Sequence, residues 1–232
     1  MRAGRPADLA SLLRDLAESP PGEMSPITLD EYLPERDRKN LATALNTLLA
    51  SRTFAAWRKG VALDPGSWLT PGPDGKTPAV ILSVAHLDDD ERALLLGLLF
   101  DQLLAWVCTL PGTRDLRALI VFDEVFGFLP PHPANPPAKR PLLALMKQAR
   151  AFGVGVLLAT QNPMDLDYRA LSNAGMWWVG RLQTDADRTR VVEGLAGAAG
   201  IQRDDLALQL KALPPRWFVM RDVHASQETM LW

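Results

Sequence analysis

The stretch Ala118-Leu119-Ile120-Val121-Phe122-Asp123-Glu124 decides the fold, because an apolar run ends there in two carboxylates. The stretch Gly155-Val156-Leu157-Leu158-Ala159-Thr160-Gln161 follows later in the chain and ends in a hydroxyl and an amide. Ligands of open α/β sheets bind outside the carboxyl ends of the parallel strands. Two neighbouring strands with these ends would therefore place two carboxylates and one amide in a single crevice.

Such a trio of side chains suits a nucleoside triphosphate, a magnesium ion and an attacking water molecule. One carboxylate can hold the metal, and the next can take a proton from water. The amide can orient that water and sense the γ-phosphate. The pattern therefore predicts an ATPase.

The sequence lacks the glycine-rich phosphate loop that such an ATPase needs. That loop has the form G-x-x-x-x-G-K-[ST] between a strand and a helix, where backbone N–H groups face the phosphates. The stretch Gly75-Lys76-Thr77 has Thr70 in place of the first glycine and runs through Pro78 into the apolar segment 79–84. We interpret it as a surface turn.

Composition narrows the class of protein. The 232 residues are 47% hydrophobic, with a formal net charge of −2, so the sequence predicts a globular protein without a strongly basic surface for autonomous DNA binding. The N-terminus has no apolar signal core, and the apolar run 93–110 is interrupted by Asp101 and Gln102. We expect a cytoplasmic protein without a membrane span. The single cysteine, Cys108, is expected to be buried and inert.

Hydrophobic periodicity divides the chain into a helical region, 1–65, and an α/β region, 66–232. In the helical region, leucines recur at helical spacing within 9–16 and 41–49. In the α/β region, strands are predicted at 79–84, 117–122, 154–160 and 176–182, with a C-terminal hairpin from 216–221 and 228–232. Helices between these strands indicate a mostly parallel sheet with crossover helices.

Local signals support the helices of this α/β region. Asp88 and Glu91 have the spacing of a capping box before an apolar helix that reaches about Leu110. A proline-rich loop at 129–137 precedes a second helix, which Gly153 should end, and Thr184 can cap a later helix. Four basic side chains of this second helix are predicted to face away from the core: Lys139, Arg140, Lys147 and Arg150.

Taken together, these motifs resemble the C-terminal half of a HerA/FtsK-type ATPase, a member of the additional-strand, RecA-like P-loop class. The resemblance covers roughly residues 79–196. It is carried by residues 118–125, 147–163 and 171–175, by Gly180-Arg181-Leu182 and by Asp187. It implies an incomplete RecA-like α/β domain that follows a helical N-terminal region.

The resemblance also implies the roles of individual residues, with ATP and Mg²⁺ as cofactors. Asp123 matches the carboxylate that positions Mg²⁺ through water, and Glu124 matches the one that activates the attacking water. Gln161 matches the γ-phosphate sensor. Arg181, and after it Arg150, match arginines that serve the nucleotide or a neighbouring subunit.

Each of these residues also has a simpler interpretation. The acidic pair could be an exposed strand exit, and Gln161 could cap the turn that follows it. Arg181 could be a surface ion-pairing residue, and Arg150 could belong to the solvated face of its helix.

In the family, a phosphate-loop strand should precede this part of the fold and lie between the Thr-Gln strand and the strand at 176–182. Its absence has three explanations: the chain is a fragment, which we expect; the loop comes from a separate polypeptide; or nucleotide binding has been lost. The complete protein is expected to form a homo-oligomeric, hexameric ring acting on double-stranded DNA. The alternative is a non-catalytic interaction or assembly module derived from such an ATPase.

Overall fold

The structure is a computed structural model that describes residues 33–50, 60–196, 203–222 and 229–231, with the isolated positions 11, 13, 14, 16 and 31. The chain forms two compact units, Met1–Ala62 and Leu63–Trp232. The division lies close to the boundary placed between residues 65 and 66 from the sequence. Half of the residues in the helical pattern predicted over 9–16 lie outside the described residues.

The first unit contains helix α1, Glu35–Ala50. Acidic residues in its first turn interact favourably with the positive end of the helix dipole. Glu35 also forms an ion pair with Lys39 one turn later, with 2.7 Å between Lys39 Nζ and Glu35 Oε1. The leucine spacing within 41–49 therefore correctly predicted a helix here.

The second unit alternates helices and strands. Its helices are α2 (Pro65–Trp68), α3 (Asp89–Thr109), α4 (Lys139–Gln148), α5 (Tyr168–Asn173), α6 (Asp185–Ala196) and α7 (Arg203–Ala212). Its strands are β1 (Thr113–Phe122), β2 (Phe152–Leu158), β3 (Met176–Val179), β4 (Phe218–Asp222) and β5 (Thr229–Leu231). Short 3-10 turns cover Ala149–Ala151 and Pro163–Asp165.

The strands form two separate sheets. β1 and β2 pair in parallel, with Phe122 opposite Leu158, whereas β3, β4 and β5 form an antiparallel sheet in that order. The prediction of a parallel strand at 176–182 is therefore wrong in its pairing. β4 lies beside β3, and within the described residues no strand pairs with the second edge of β2. The predicted C-terminal hairpin is confirmed as β4 and β5.

The segment 79–84 is not a strand, in contrast to the sequence prediction. Its apolar side chains Val80, Ile81 and Leu82 are exposed, Ile81 by 92%, and only Val84 packs against the core. A strand requires a hydrogen-bonded neighbour, and an apolar run in a sequence cannot reveal whether that neighbour exists. The high β propensity of this segment was therefore not sufficient to form a strand.

Helix α3 covers one side of the main core. The predicted capping box is present: Glu91 N donates to Asp88 Oδ1 at 2.8 Å, and Asp88 N donates to Glu91 Oε2 at 3.4 Å. One face of α3 packs with α4, while Leu94 and Leu98 stay exposed. The expectation of a buried Cys108 is wrong, because that residue is exposed. The buried residues of α3 are Leu96, Gly97, Leu99, Phe100, Leu103 and Val107.

In the part of the chain that the structure describes, one helix, α3, is both long enough and apolar enough to cross a membrane. This judgement uses length and composition alone. Core helices pass the same criterion. The packing of α3 against α4, and of Phe100 against Phe122 of β1 with 5.4 Å between ring centroids, is that of a core helix.

A second, smaller core joins α6, α7 and the antiparallel sheet. Thr184 begins α6 by accepting a hydrogen bond from Asp187 N at 3.1 Å, as its sequence position predicted. The buried Arg188 of the same helix donates to the Leu182 and Gln183 carbonyls at 2.8 and 2.9 Å. The chain between β3 and α6 is therefore held by side-chain contacts as well as by the strand. The buried apolar residues of this core are Val191, Val192, Leu206, Leu210, Leu213 and Val219.

Candidate active site at the ends of two parallel strands

The carboxyl ends of β1 and β2 are held side by side by the backbone. Ala159 N donates to the Phe122 carbonyl at 3.0 Å, and Val125 N donates to the Ala159 carbonyl at 2.9 Å. Val125 is fully buried and anchors the chain directly after the acidic pair. The two loops that follow these strands therefore begin from one fixed point.

Glu124 joins these two loops through its side chain. Gln161 Nε2 donates to Glu124 Oε2 at 3.0 Å, and Thr160 Oγ1 approaches Glu124 Oε1 at 3.3 Å. The backbone of Glu124 has φ +55°, a left-handed conformation that costs a residue with a side chain roughly 1–2 kcal/mol. Such outliers concentrate at functional sites. We call Glu124, Thr160 and Gln161 the Glu124 cluster.

Asp123 lies directly after β1, next to this cluster. Asp123, Glu124 and Gln161 are all exposed, so solvent and ligands can reach their oxygen atoms. Carboxylate oxygens suit Mg²⁺, which typically takes one or two protein carboxylates and completes its shell with water and phosphate oxygens. Among the described residues no group of three or more His, Cys, Asp or Glu side chains could hold a metal ion. The exposed carboxylates of Asp123 and Glu124 have the oxygen donors that suit a magnesium ion.

The two candidate arginines do not join the Glu124 cluster. Arg150 lies in the 3-10 turn before β2, at the opposite end of that strand from Gln161. With about 3.3 Å per strand residue, this places the two roughly 20 Å or more apart. Arg181 is exposed and follows β3 in the other sheet. The roles suggested for both arginines remain predictions.

Sequence reasoning missed a buried ionic network beside the site. Lys139 was predicted to face away from the core, yet only 2% of its side chain is exposed. Its Nζ lies 2.8 Å from Asp167 Oδ2, and Arg169 Nη2 lies 2.9 Å from the same oxygen. Asp167 also caps α5 by accepting from Arg169 N at 2.8 Å. The position of Asp167 just before a short helix was the signal that could have indicated the cap.

The charge state of Asp167 follows from these contacts. Hydrogen bonds from the Arg169 side chain, and then from Lys139, hold the pKa of the Asp167 carboxyl well below its usual value of 3.8. Burial acts in the opposite direction and is outweighed. Asp167 is therefore ionised wherever the protein is folded at ordinary pH.

The glycine-lysine-threonine stretch forms an exposed turn, as the sequence analysis interpreted it. Gly75 has φ +67° and donates its N–H to the Gly72 carbonyl at 3.0 Å. Lys76 contacts Asp74, with 3.4 Å between Nζ and Oδ2, and both side chains are exposed. The segment neither follows a strand nor begins a helix, so it lacks the geometry of a phosphate loop.

No protein-family model matches this sequence, and no curated protein sequence matches it. Solved structures with a similar fold include B204, the DNA-packaging ATPase from Sulfolobus turreted icosahedral virus, with TM-score 0.50 and 13% identity over 78% of this chain and 76% of that chain. B204 from Sulfolobus turreted icosahedral virus 2, a genome-packaging NTPase solved with AMP, gives TM-score 0.45 and 15% identity over 63% of each chain. Its complex with ATP-gammaS gives TM-score 0.39 and 19% identity over 48% of this chain and 52% of that chain.

This likeness concerns the fold. The chain spans 52% and 63% of the length of the two structures from virus 2, and 76% of the other. At the level of fold class the prediction is confirmed: the chain has a mixed α/β fold with a small parallel sheet, consistent with a partial RecA-like ATPase fold.

Proposed function

We propose that this chain carries the metal-binding and water-activating half of an ATPase domain of the HerA/FtsK type. The phosphate loop would come from a segment that these 232 residues do not contain, and the complete assembly would be a ring that moves double-stranded DNA. The observation that supports this proposal most strongly is the 3.0 Å contact between Gln161 Nε2 and Glu124 Oε2 across two adjacent strand ends.

Under this proposal, each group has a chemical role. An ionised carboxylate offers about four lone-pair sites, and Thr160 and Gln161 use two of those on Glu124. The rest can accept a proton from an attacking water molecule. Gln161 Nε2 has two N–H donors and gives one to Glu124, so the second can bond a phosphate oxygen.

Asp123, exposed beside Glu124, would hold Mg²⁺ through a water molecule. Mg-ATP, when bound, would supply the electrophilic phosphorus and the cation that offsets charge in the transition state. The part of this chain is to hold the base and the amide in fixed positions before the reaction begins.

The test compares Glu124→Gln with Glu193→Gln, a matched change at an exposed glutamate on α6. MgATP hydrolysis is measured on the protein purified natively with the subunits with which it assembles, with and without double-stranded DNA. We expect Glu124→Gln to lower kcat by roughly 10²–10⁴-fold with MgATP still bound, because the general base is lost. Glu193→Gln should leave kcat unchanged, and DNA should raise the wild-type rate. Equal rates for the two variants would overturn the assignment of Glu124.

A second candidate is a non-catalytic assembly module. The outer face of the β1–β2 pair presents Leu119, Val121 and Leu157, which are 55%, 58% and 41% exposed. Exposed apolar patches on a sheet are typical of interaction surfaces. Calorimetry of MgATP with this chain and with the native assembly separates the two candidates: tight binding counts against the module, and absence of binding in both favours it.

A further inference from the structure

The buried amino group of Lys139 connects the two loops that carry the candidate active site. We call these the β1–α4 loop, residues 123–138, and the β2–α5 loop, residues 159–167. Lys139 Nζ donates to the Pro130 and Ala134 carbonyls of the first loop at 2.6 and 2.9 Å. It also contacts Asp167 Oδ2 of the second loop at 2.8 Å. An ammonium group has three N–H donors, and all three have acceptors here.

Asp167 adds a backbone connection between the same loops. Its N–H donates to the Leu129 carbonyl at 2.7 Å, and Leu129 is fully buried. Its carboxylate accepts from Arg169 Nε at 3.1 Å as well as from Lys139. The far end of the β2–α5 loop is therefore fixed to the middle of the β1–α4 loop.

The Glu124 cluster joins the near ends of these loops. Only the turn from Val125 to Leu129, closed by Phe128 N donating to the Val125 carbonyl at 3.1 Å, separates Glu124 from the connection to Asp167. Gln161 is connected to Asp167 through the 3-10 turn Pro163–Asp165. A shift at Lys139 would therefore change the relative position of Glu124 and Gln161.

Stability alone does not require an ion pair at this position. Burying an ammonium and a carboxylate costs several kcal/mol per ion, and the attraction between the two ions roughly offsets this cost. Apolar residues of similar volume often stabilise a protein equally well. Lys139 constrains the geometry of the two loops, because three acceptors from these loops must lie around one nitrogen atom.

We propose that Lys139 is a positioning residue that fixes the β1–α4 and β2–α5 loops and so sets the contact between Glu124 and Gln161. This inference rests on the proposed function for its meaning in catalysis. The geometric part concerns the protein without nucleotide and is measured independently.

The test uses Lys139→Met in the full chain, with Lys147→Met as the matched control, because Lys147 is an exposed lysine on the same helix. NMR follows the resonance of the Gln161 side-chain amide, which is assigned by its loss in Gln161→Ala. The Glu124→Ala variant gives the chemical shift of this amide when the contact with Glu124 is absent. Lys139→Met should move this signal towards the Glu124→Ala position. It should also speed hydrogen exchange of the Val125 and Ala159 amides by roughly tenfold. Lys147→Met should change neither.

Two further variants keep the proposal testable if Lys139→Met does not fold. Lys139→Met/Asp167→Asn removes both charges, and Lys139→Arg keeps the charge with a different geometry. Any folded variant without the lysine that retains the wild-type Gln161 signal and slow exchange overturns the proposal. Failure of all three variants to fold would assign Lys139 to stability alone and would also overturn it.

Catalysis supplies an independent readout. In the native assembly, a folded Lys139→Met protein should lose kcat by roughly tenfold with little change in KM, because the base is misplaced while the substrate contacts remain. If the wild-type assembly does not hydrolyse ATP, the proposed function fails while the NMR comparison still decides whether Lys139 positions the loops. An unchanged kcat in a protein whose Gln161 signal has moved would overturn the catalytic meaning of the network.

Discussion

Two sets of polar contacts join the loops that follow β1 and β2, and they differ in their exposure to water. The Glu124 cluster is open to solvent, whereas the contacts among Lys139, Asp167 and the Leu129 carbonyl are buried. Exposed polar contacts are worth little to folding but are available to a ligand. Buried ionic contacts are costly to break and hold a fixed geometry. Under the two proposals, the exposed cluster would carry the chemistry and the buried network would hold the two loops in position.

The largest expected effect is on the buried side. Asp167→Ala leaves the Lys139 ammonium buried without its carboxylate, which should lower the free energy of unfolding by about 3–5 kcal/mol. Asp165→Ala removes an exposed carboxylate from the same loop and should cost less than about 1 kcal/mol. Urea denaturation compares the two variants. Similar losses would contradict the claimed difference between the buried and exposed contacts.

Acid provides a second way to weaken the buried contacts. The folded-state pKa of Asp167 is depressed below its usual value of 3.8, so its stabilisation is present above that value and is lost as the pH falls below it. The stability difference between wild type and Asp167→Asn should therefore shrink as the pH falls from about 5 to about 2.5. Urea midpoints at several pH values measure this difference. A constant difference would show that Asp167 does not titrate as the contacts require.

At the opposite end of the same strand pair, backbone geometry replaces ionic contacts. Gly153 has φ +74°, and an added Cβ would lie 2.3 Å from the Asp115 carbonyl oxygen. Gly127 has φ +81° with open space around it. Gly153→Ala should therefore cost roughly 1–3 kcal/mol more than Gly127→Ala in urea denaturation. Equal costs would mean that the close approach of β2 to β1 relaxes without penalty.

The smallest expected effect is at the exposed cluster. Glu124→Gly relieves the left-handed conformation at φ +55°, whereas Glu124→Ala keeps it and loses the same side chain. The glycine variant should be more stable than the alanine variant by about 1 kcal/mol. Thermal unfolding of the two variants provides the measurement. A less stable glycine variant would argue against strain at this position.

The sequence predicted the parts of the fold that local chemistry controls. The capping residues of α3, the start of α6 at Thr184 and the C-terminal hairpin are where they were expected. The pairing of strands was harder to predict, because it depends on partners distant in the chain. The extended segment 79–84 and the antiparallel β3 illustrate that limit.

The candidate site divides in the same way. Asp123, Glu124 and Gln161 were candidates because they stand at the ends of two apolar runs, and the structure brings Glu124 and Gln161 into contact. Lys139 was missed because helical periodicity placed it among exposed basic residues, and its burial depends on carbonyl groups of a proline-rich loop. Backbone acceptors leave no mark in a sequence, so no side-chain pattern could have indicated this contact.

The central claim is that Glu124 and Gln161 act as one unit at the ends of β1 and β2. The most direct measurement is a double-mutant cycle on kcat for MgATP hydrolysis by the native assembly, with Glu124→Gln, Gln161→Ala and the combined variant. We predict that the combined variant loses little more activity than the more damaging single change. Losses that multiply, or a wild-type assembly without turnover, would contradict it.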